Sequence, residues 1–110
     1  MRSNLKRWRL NSMKLYHVSQ DINNNYDTYS DFVVAAESED EARNTHPSEF
    51  VTHRRDGLWY GTHIDGGEYE TDNTYRTWVT VEQLDKVEVK YIGKAADGVK
   101  GIICKSFHAG

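Results

Sequence analysis

Histidine, cysteine and carboxylate side chains are the residues with which this chain could do chemistry, and their spacing argues against most of it. His46, His53 and His63 lie near Glu49 and Asp65 in sequence. Zinc sites draw on close ligand pairs, such as two cysteines two residues apart or two histidines three to five apart. The gaps here are longer, so no metal or other cofactor is expected. Cys104 with a histidine would make a nucleophile and base. It sits between Ile103 and Lys105 in a strand-like run, where a small buried hydrophobe is the expectation. Asp21, Asp27 and Asp31 flank an Asn-rich stretch, but the glycine and terminal glutamate of a calcium loop are missing. Asp72-Asn73-Thr74 reads as turn chemistry. Gly66-Gly67 is not followed by a helix or a Lys-Thr pair, so it is no phosphate loop. The expectation is a protein that is not an enzyme.

Binding chemistry is better represented. His53-Arg54-Arg55 precedes Trp59-Tyr60, with Tyr69 beyond. Basic residues beside aromatics suit single-stranded nucleic acid. Trp, Tyr and Arg also dominate protein-binding hot spots. Arg54, Arg55, Trp59, Tyr60 and Tyr69 are therefore the candidate binding residues, on a hairpin that Gly57, Gly61, Gly66 and Gly67 would let project. Two readings stay open for Trp59: a partner-facing anchor, or the core of a small sheet. Trp78 is expected in the core.

The elements that must position these residues can be read from periodicity. Lys14–Gln20 alternates as a strand. Asp21–Asp27 is a turn. Tyr29–Ala36 contains the unbroken run Phe32–Ala36, expected of a central strand covered on both faces. Ser38-Glu39-Asp40-Glu41 is a capping box, opening a helix that runs to about His46 and stops at Pro47. His46 would sit at the negative helix end. Leu58–Ile64 and Glu68–Thr71 flank Asp65-Gly66-Gly67 as a hairpin. Thr77–Val81 is strand-like, with one capped helical turn from Thr80 to about Leu84. Val87–Tyr91 alternates, Gly93–Gly101 is a loop with an Asp97-Gly98 turn, and Gly101–Phe107 is the last strand. Short loops favour antiparallel neighbours. The fold expected is α+β: a mostly antiparallel sheet with one short helix packed on it, in the order strand, strand, helix, hairpin, strand, strand.

A chain of 110 residues suits one domain, and its 13 aromatics argue against disorder. Arg2, Lys6, Arg7 and Arg9 stand in a segment without acids; subtracting them from the formal charge of −3 leaves −7 for residues 13–110. Such a charge repels nucleic acid and anionic membranes. No apolar run is long enough to cross a membrane, and one cysteine suits a reducing cytoplasm. Trp8-Arg9 can be encoded by TGGAGG, which contains a bacterial ribosome-binding sequence ahead of Met13. Residues 1–12 are therefore expected to be a basic leader translated from upstream sequence, and residues 13–110 the domain.

The combination Leu15–Gln20, Tyr26-Asp27-Thr28-Tyr29, Val34–Ser38 with Glu41-Ala42-Arg43 and His46-Pro47 resembles small uncharacterised phage and prophage proteins of Gram-positive bacteria. Val89–Ala95 and Ile102–Gly110 are similar too; the middle, Glu49–Arg76, is not covered. The resemblance implies a cytoplasmic accessory protein whose start corresponds to Met13, and it supplies no reaction. The expected function is binding, to a host protein such as a defence component. Sequestration of a small nucleotide by Arg54, Arg55 and the aromatics is one alternative. Single-stranded nucleic-acid binding through Arg54, Arg55, Trp59 and Tyr60 is a less favoured one.

Overall fold

The structure, a computed structural model, describes residues 13–109; the expected leader, residues 1–12, lies outside them. Two antiparallel sheets share one core. The first contains β1 (Lys14–Ser19), β2 (Thr28–Ala36), β6 (Glu88–Lys94) and β7 (Gly101–His108), in the order β6-β1-β2-β7. The second contains β3 (His53–Arg55), β4 (Leu58–Thr62) and β5 (Glu68–Glu70), in chain order. The α+β reading holds in outline, but the expected single sheet is two.

The β1–β2 hairpin forms as its alternation predicts, with Leu15 opposite Ala35 and Val18 opposite Phe32. Tyr16, Val18, Phe32, Val34 and Ala36 reach the core. Val33, on the other face, is only half-buried, although Ala35 two residues on is buried. The expectation that β2 is covered on both faces is corrected to that extent. β6 and β7 follow one another in sequence but take opposite edges of the hairpin. Each edge offers unpaired backbone groups and an apolar face, and residues 95–100 cross the end of the sheet between them. Ala95 N–H donates to the Met13 carbonyl at 3.0 Å on the way. A loop of that length can span the roughly 14 Å of three strand spacings.

The helix α1 (Glu39–Arg43) starts where its cap predicts: the Ser38 hydroxyl accepts from Glu41 N–H at 3.1 Å. It ends three residues early. Asn44 Nδ2 donates to Asp40 O and Thr45 Oγ1 donates to Glu41 O, both at 2.8 Å. The Thr45 hydroxyl thus takes the Glu41 carbonyl that the next turn would need, while Thr45 N–H turns to Ala42 O at 3.2 Å. His46 is released from the helix end and goes elsewhere.

Thr77–Val81 is not a strand. Trp78 and Val79 are both fully buried, which alternation would forbid. Their backbone groups find other partners: Thr77 O accepts from Tyr29 N at 2.8 Å, and Trp78 O accepts from Asn23 Nδ2 at 3.1 Å. The helical turn after Thr80 is a 3₁₀ helix, Val81–Lys86, with Gln83 Oε1 accepting from Thr80 N–H at 3.0 Å.

Candidate functional site

The sequence reading did not place β3, although its signal was there. Asp56-Gly57 lies between His53–Arg55 and Leu58–Tyr60, with φ of 54° and 77°. Two successive positive φ angles define the tight hairpin turn that Asp-Gly favours. The Asp65–Gly67 hairpin forms as expected, Gly66 taking φ 96°.

Register then separates the candidate residues. His53 is opposite Tyr60, and Tyr60 is opposite Glu70. Arg54 is opposite Trp59, and Gly61 is opposite Tyr69. Side chains alternate between faces. His53, Arg55, Leu58, Tyr60 and Glu68 therefore share one face of the small sheet, while Arg54, Trp59 and Tyr69 share the other. The five candidates do not form one patch.

Trp59 is core. It is 2% exposed, its Nε1–H donates to Val79 O at 3.0 Å, and the His46 ring meets it edge-on at 4.9 Å. Asn73 holds its backbone from both sides, Oδ1 accepting from Trp59 N–H at 3.1 Å and Nδ2 donating to Trp59 O at 2.8 Å. The anchor reading of Trp59 is thereby corrected. Tyr69 is half-buried; its ring lies across Gly61 and is 4.4 Å from that of His63. A Cβ on Gly61 would sit 2.6 Å from that ring, so glycine serves close approach here rather than a projecting loop. Arg54 is exposed, with no charged partner among the described residues.

The opposite face carries a built array. The Arg55 guanidinium lies 4.9 Å above the Tyr60 ring, and the His53 ring stacks on the same tyrosine at 5.9 Å. Glu68 binds both side chains: Arg55 Nη2 reaches Oε1 at 2.9 Å, Arg55 Nε reaches Oε2 at 3.3 Å, and His53 Nε2 meets Oε2. The hydrogen bond to His53, opposed by some desolvation and reinforced by Arg55, holds the Glu68 carboxyl below its ordinary value. Leu58 and Thr62 are exposed on this face, and Ile64 stands fully exposed at the hairpin tip.

Two His–Asp pairs invite a catalytic reading and neither supports one. His46 is buried against Asp72, with Nε2 to Oδ2 at 2.7 Å. Its Nδ1 accepts from Ser48 N–H at 3.0 Å. A general base needs that lone pair free. His17 Nε2 meets Asp31 Oδ2 at 2.9 Å, and Ser30 Oγ donates to Asp31 Oδ1 at 2.6 Å. The serine is bonded to the carboxylate and not to the imidazole, so it is not activated. These bonds, Ser30 first and His17 next, hold the Asp31 carboxyl below its ordinary value.

Cys104 is exposed, against expectation, because β7 is an edge strand and Cys104 stands opposite Val33, outside the core. His17 is also opposite Val33, from β1. Sulfur and imidazole are thus two strand spacings apart, about 10 Å, beyond hydrogen-bonding reach. Among the described residues, no three His, Cys, Asp or Glu side chains gather as a metal would need, and no helix is long and apolar enough to cross a membrane. Compared with known protein families, with curated proteins and with solved structures, the chain matches none.

Proposed function

We propose that this chain is a small binding domain that docks the β3–β5 sheet onto another protein. The supporting observation is the array of Tyr60 between His53 and Arg55, both tied to Glu68. An aromatic ring and a guanidinium held in place before contact lose little freedom on binding, which is how hot-spot residues gain affinity. Leu58 and Ile64 add apolar area beside it. The partner proposed is a host protein of a bacterium, a defence component among them, modulated by a phage or prophage product in the cytoplasm.

Nucleotide sequestration at Arg54 and Arg55 draws less support. The two arginines leave β3 on opposite faces, and Arg55 is already engaged by Glu68. The same separation, with the charge of −7 on residues 13–110, weighs against single-stranded nucleic acid.

Capture from a bacterial lysate tests the docking reading. A discrete protein should be retained by the unaltered chain and lost from Arg55→Ala and from the double variant Leu58→Asp, Ile64→Asp. Lys90→Ala, on the large sheet, should retain it. Equal retention by all four proteins would remove the small sheet from consideration.

A further inference from the structure

A second site lies away from the small sheet. The loop after β1 and the segment leading to the 3₁₀ helix face each other across a cleft of about 340 Å³. Its walls are built by side chains that hold loops. Gln20 organises the first loop, its Oε1 accepting from Ile22 N and Asn23 N at 2.8 and 2.7 Å. Asn23 then joins the two sides, its Nδ2 donating to Arg76 O at 3.0 Å and Trp78 O at 3.1 Å.

What these struts leave unused has one chemical character. The Arg76 guanidinium makes no hydrogen bond or ion pair among the described residues. Gln83 spends its Oε1 on Thr80 N–H, leaving its amide hydrogens unpaired. Trp78 is fully buried, and its Nε1–H is without a partner. A buried donor left unpaired is costly, and Trp78 is among the residues that line this cleft. No carboxylate lines the cleft. Tyr75 adds a 58% exposed ring, fixed through its hydroxyl, which donates to Tyr26 O at 2.6 Å. One cation, spare donors and a fixed aromatic plate describe a receptor for an anion with a flat ring.

The geometry points to a binding site for a small anion bearing a planar ring, in the cleft formed by Tyr75, Arg76, Trp78 and Gln83. Arg76 pairs with the anionic group, as guanidinium does with phosphate or carboxylate. Gln83 donates its free amide hydrogens, and the ring stacks on Tyr75. The volume stands at the small end of ligand pockets, the size for one nucleotide or aromatic acid. This site uses none of the residues of the docking face and stands or falls independently of it.

The test titrates the ¹⁵N-labelled full chain near pH 7 with AMP, sodium benzoate or inorganic phosphate, following the Trp78 indole N–H resonance. AMP or benzoate should shift it saturably, with half-saturation below about 1 mM. Saturation by AMP alone assigns a phosphate ester, and by benzoate alone a carboxylate. Arg76→Gln should raise the half-saturation concentration at least about tenfold. Gln83→Glu keeps the acceptor for Thr80 N–H, replaces the free donors with a charge, and should do the same. The Arg76 guanidinium bonds nothing among the described residues and Gln83→Glu keeps the one side-chain bond Gln83 makes, so the melting temperature should stay in place. No shift by either ring-bearing anion at about 10 mM would overturn the proposal. So would inorganic phosphate acting as strongly as AMP, or a shift unchanged in both variants.

Discussion

His46 and Asp72 form a hydrogen-bonded pair with 1% and 4% of their side chains exposed, joining the segment after α1 to the segment after β5. Ser48 N–H donates to His46 Nδ1, so the imidazole is held as the Nε2–H tautomer and donates to Asp72. Asp72 Oδ1 takes Thr77 N–H at 2.7 Å and Thr77 Oγ1 at 2.6 Å. Both ring nitrogens of His46 and both carboxylate oxygens of Asp72 are thus bonded. It is a clamp beneath Trp59 rather than a catalytic dyad.

Acid should loosen that clamp. Burial pushes the Asp72 carboxyl up, but the hydrogen bonds from His46 and Thr77 outweigh it and hold the carboxyl below its ordinary value. The unfolded chain therefore binds this proton at a higher pH than the folded one. The stabilisation is complete above about pH 4, where an unfolded Asp is ionised, and is lost as pH falls through the lower folded value. Asp72→Asn should cost about 1–3 kcal/mol, because its amide would face the His46 N–H donor to donor. Asparagine tolerates the φ of 61° found at this position, so the backbone is not the cause. Urea denaturation from pH 6 to pH 3 should show a shallower acid limb in the variant; an identical limb would count against the clamp.

Trp59→Ala should destabilise the domain by roughly 3–5 kcal/mol. The indole fills the shared core and its N–H satisfies Val79 O. Arg54→Ala, directly across β3 but exposed, should stay within about 0.5 kcal/mol. Chemical denaturation of both variants separates a core tryptophan from a partner-facing one, for which the two costs would be alike.

Gly61→Ala should cost about 1–3 kcal/mol, the usual range for overpacking. The added Cβ would stand 2.4 Å from the Phe50 carbonyl and 2.6 Å from the Tyr69 ring. The carbonyl is main chain and cannot swing aside. Gly67→Ala, whose Cβ would find nothing nearer than 3.3 Å, is the matched control and should change the denaturation midpoint little.

Ser38→Ala should cost about 1 kcal/mol, the usual loss for an N-cap hydroxyl. Glu41 N–H would lose its acceptor, while the Glu37 N–H bond to Glu41 Oε1 remains. Ser38→Asp should restore most of the difference. An Ala variant as stable as the parent would place the start of α1 elsewhere.

Legibility followed the range of the forces. The β1–β2 hairpin, the Ser38 cap, the turn at Asp65–Gly67 and the alternation of β6 could be read from sequence, because each depends on residues within a few positions of one another. The Asp56-Gly57 turn was equally local, and would have shown that Arg54 and Arg55 face opposite ways. Other features depend on partners far along the chain. Whether Thr77–Val79 becomes a strand depends on Asn23, Tyr29 and Trp59 claiming its carbonyls. His46 leaves the helix because Asp72, 26 residues on, offers a buried acceptor. β6 and β7 separate because the hairpin between them has two edges to fill. Local sterics and hydrogen bonding in the sequence by itself determined the main strands and the helix start. The tertiary structure decided which aromatics are core, which residues share a face, and where unpaired donors meet, because burial and hydrogen-bond satisfaction are properties of the whole packed chain.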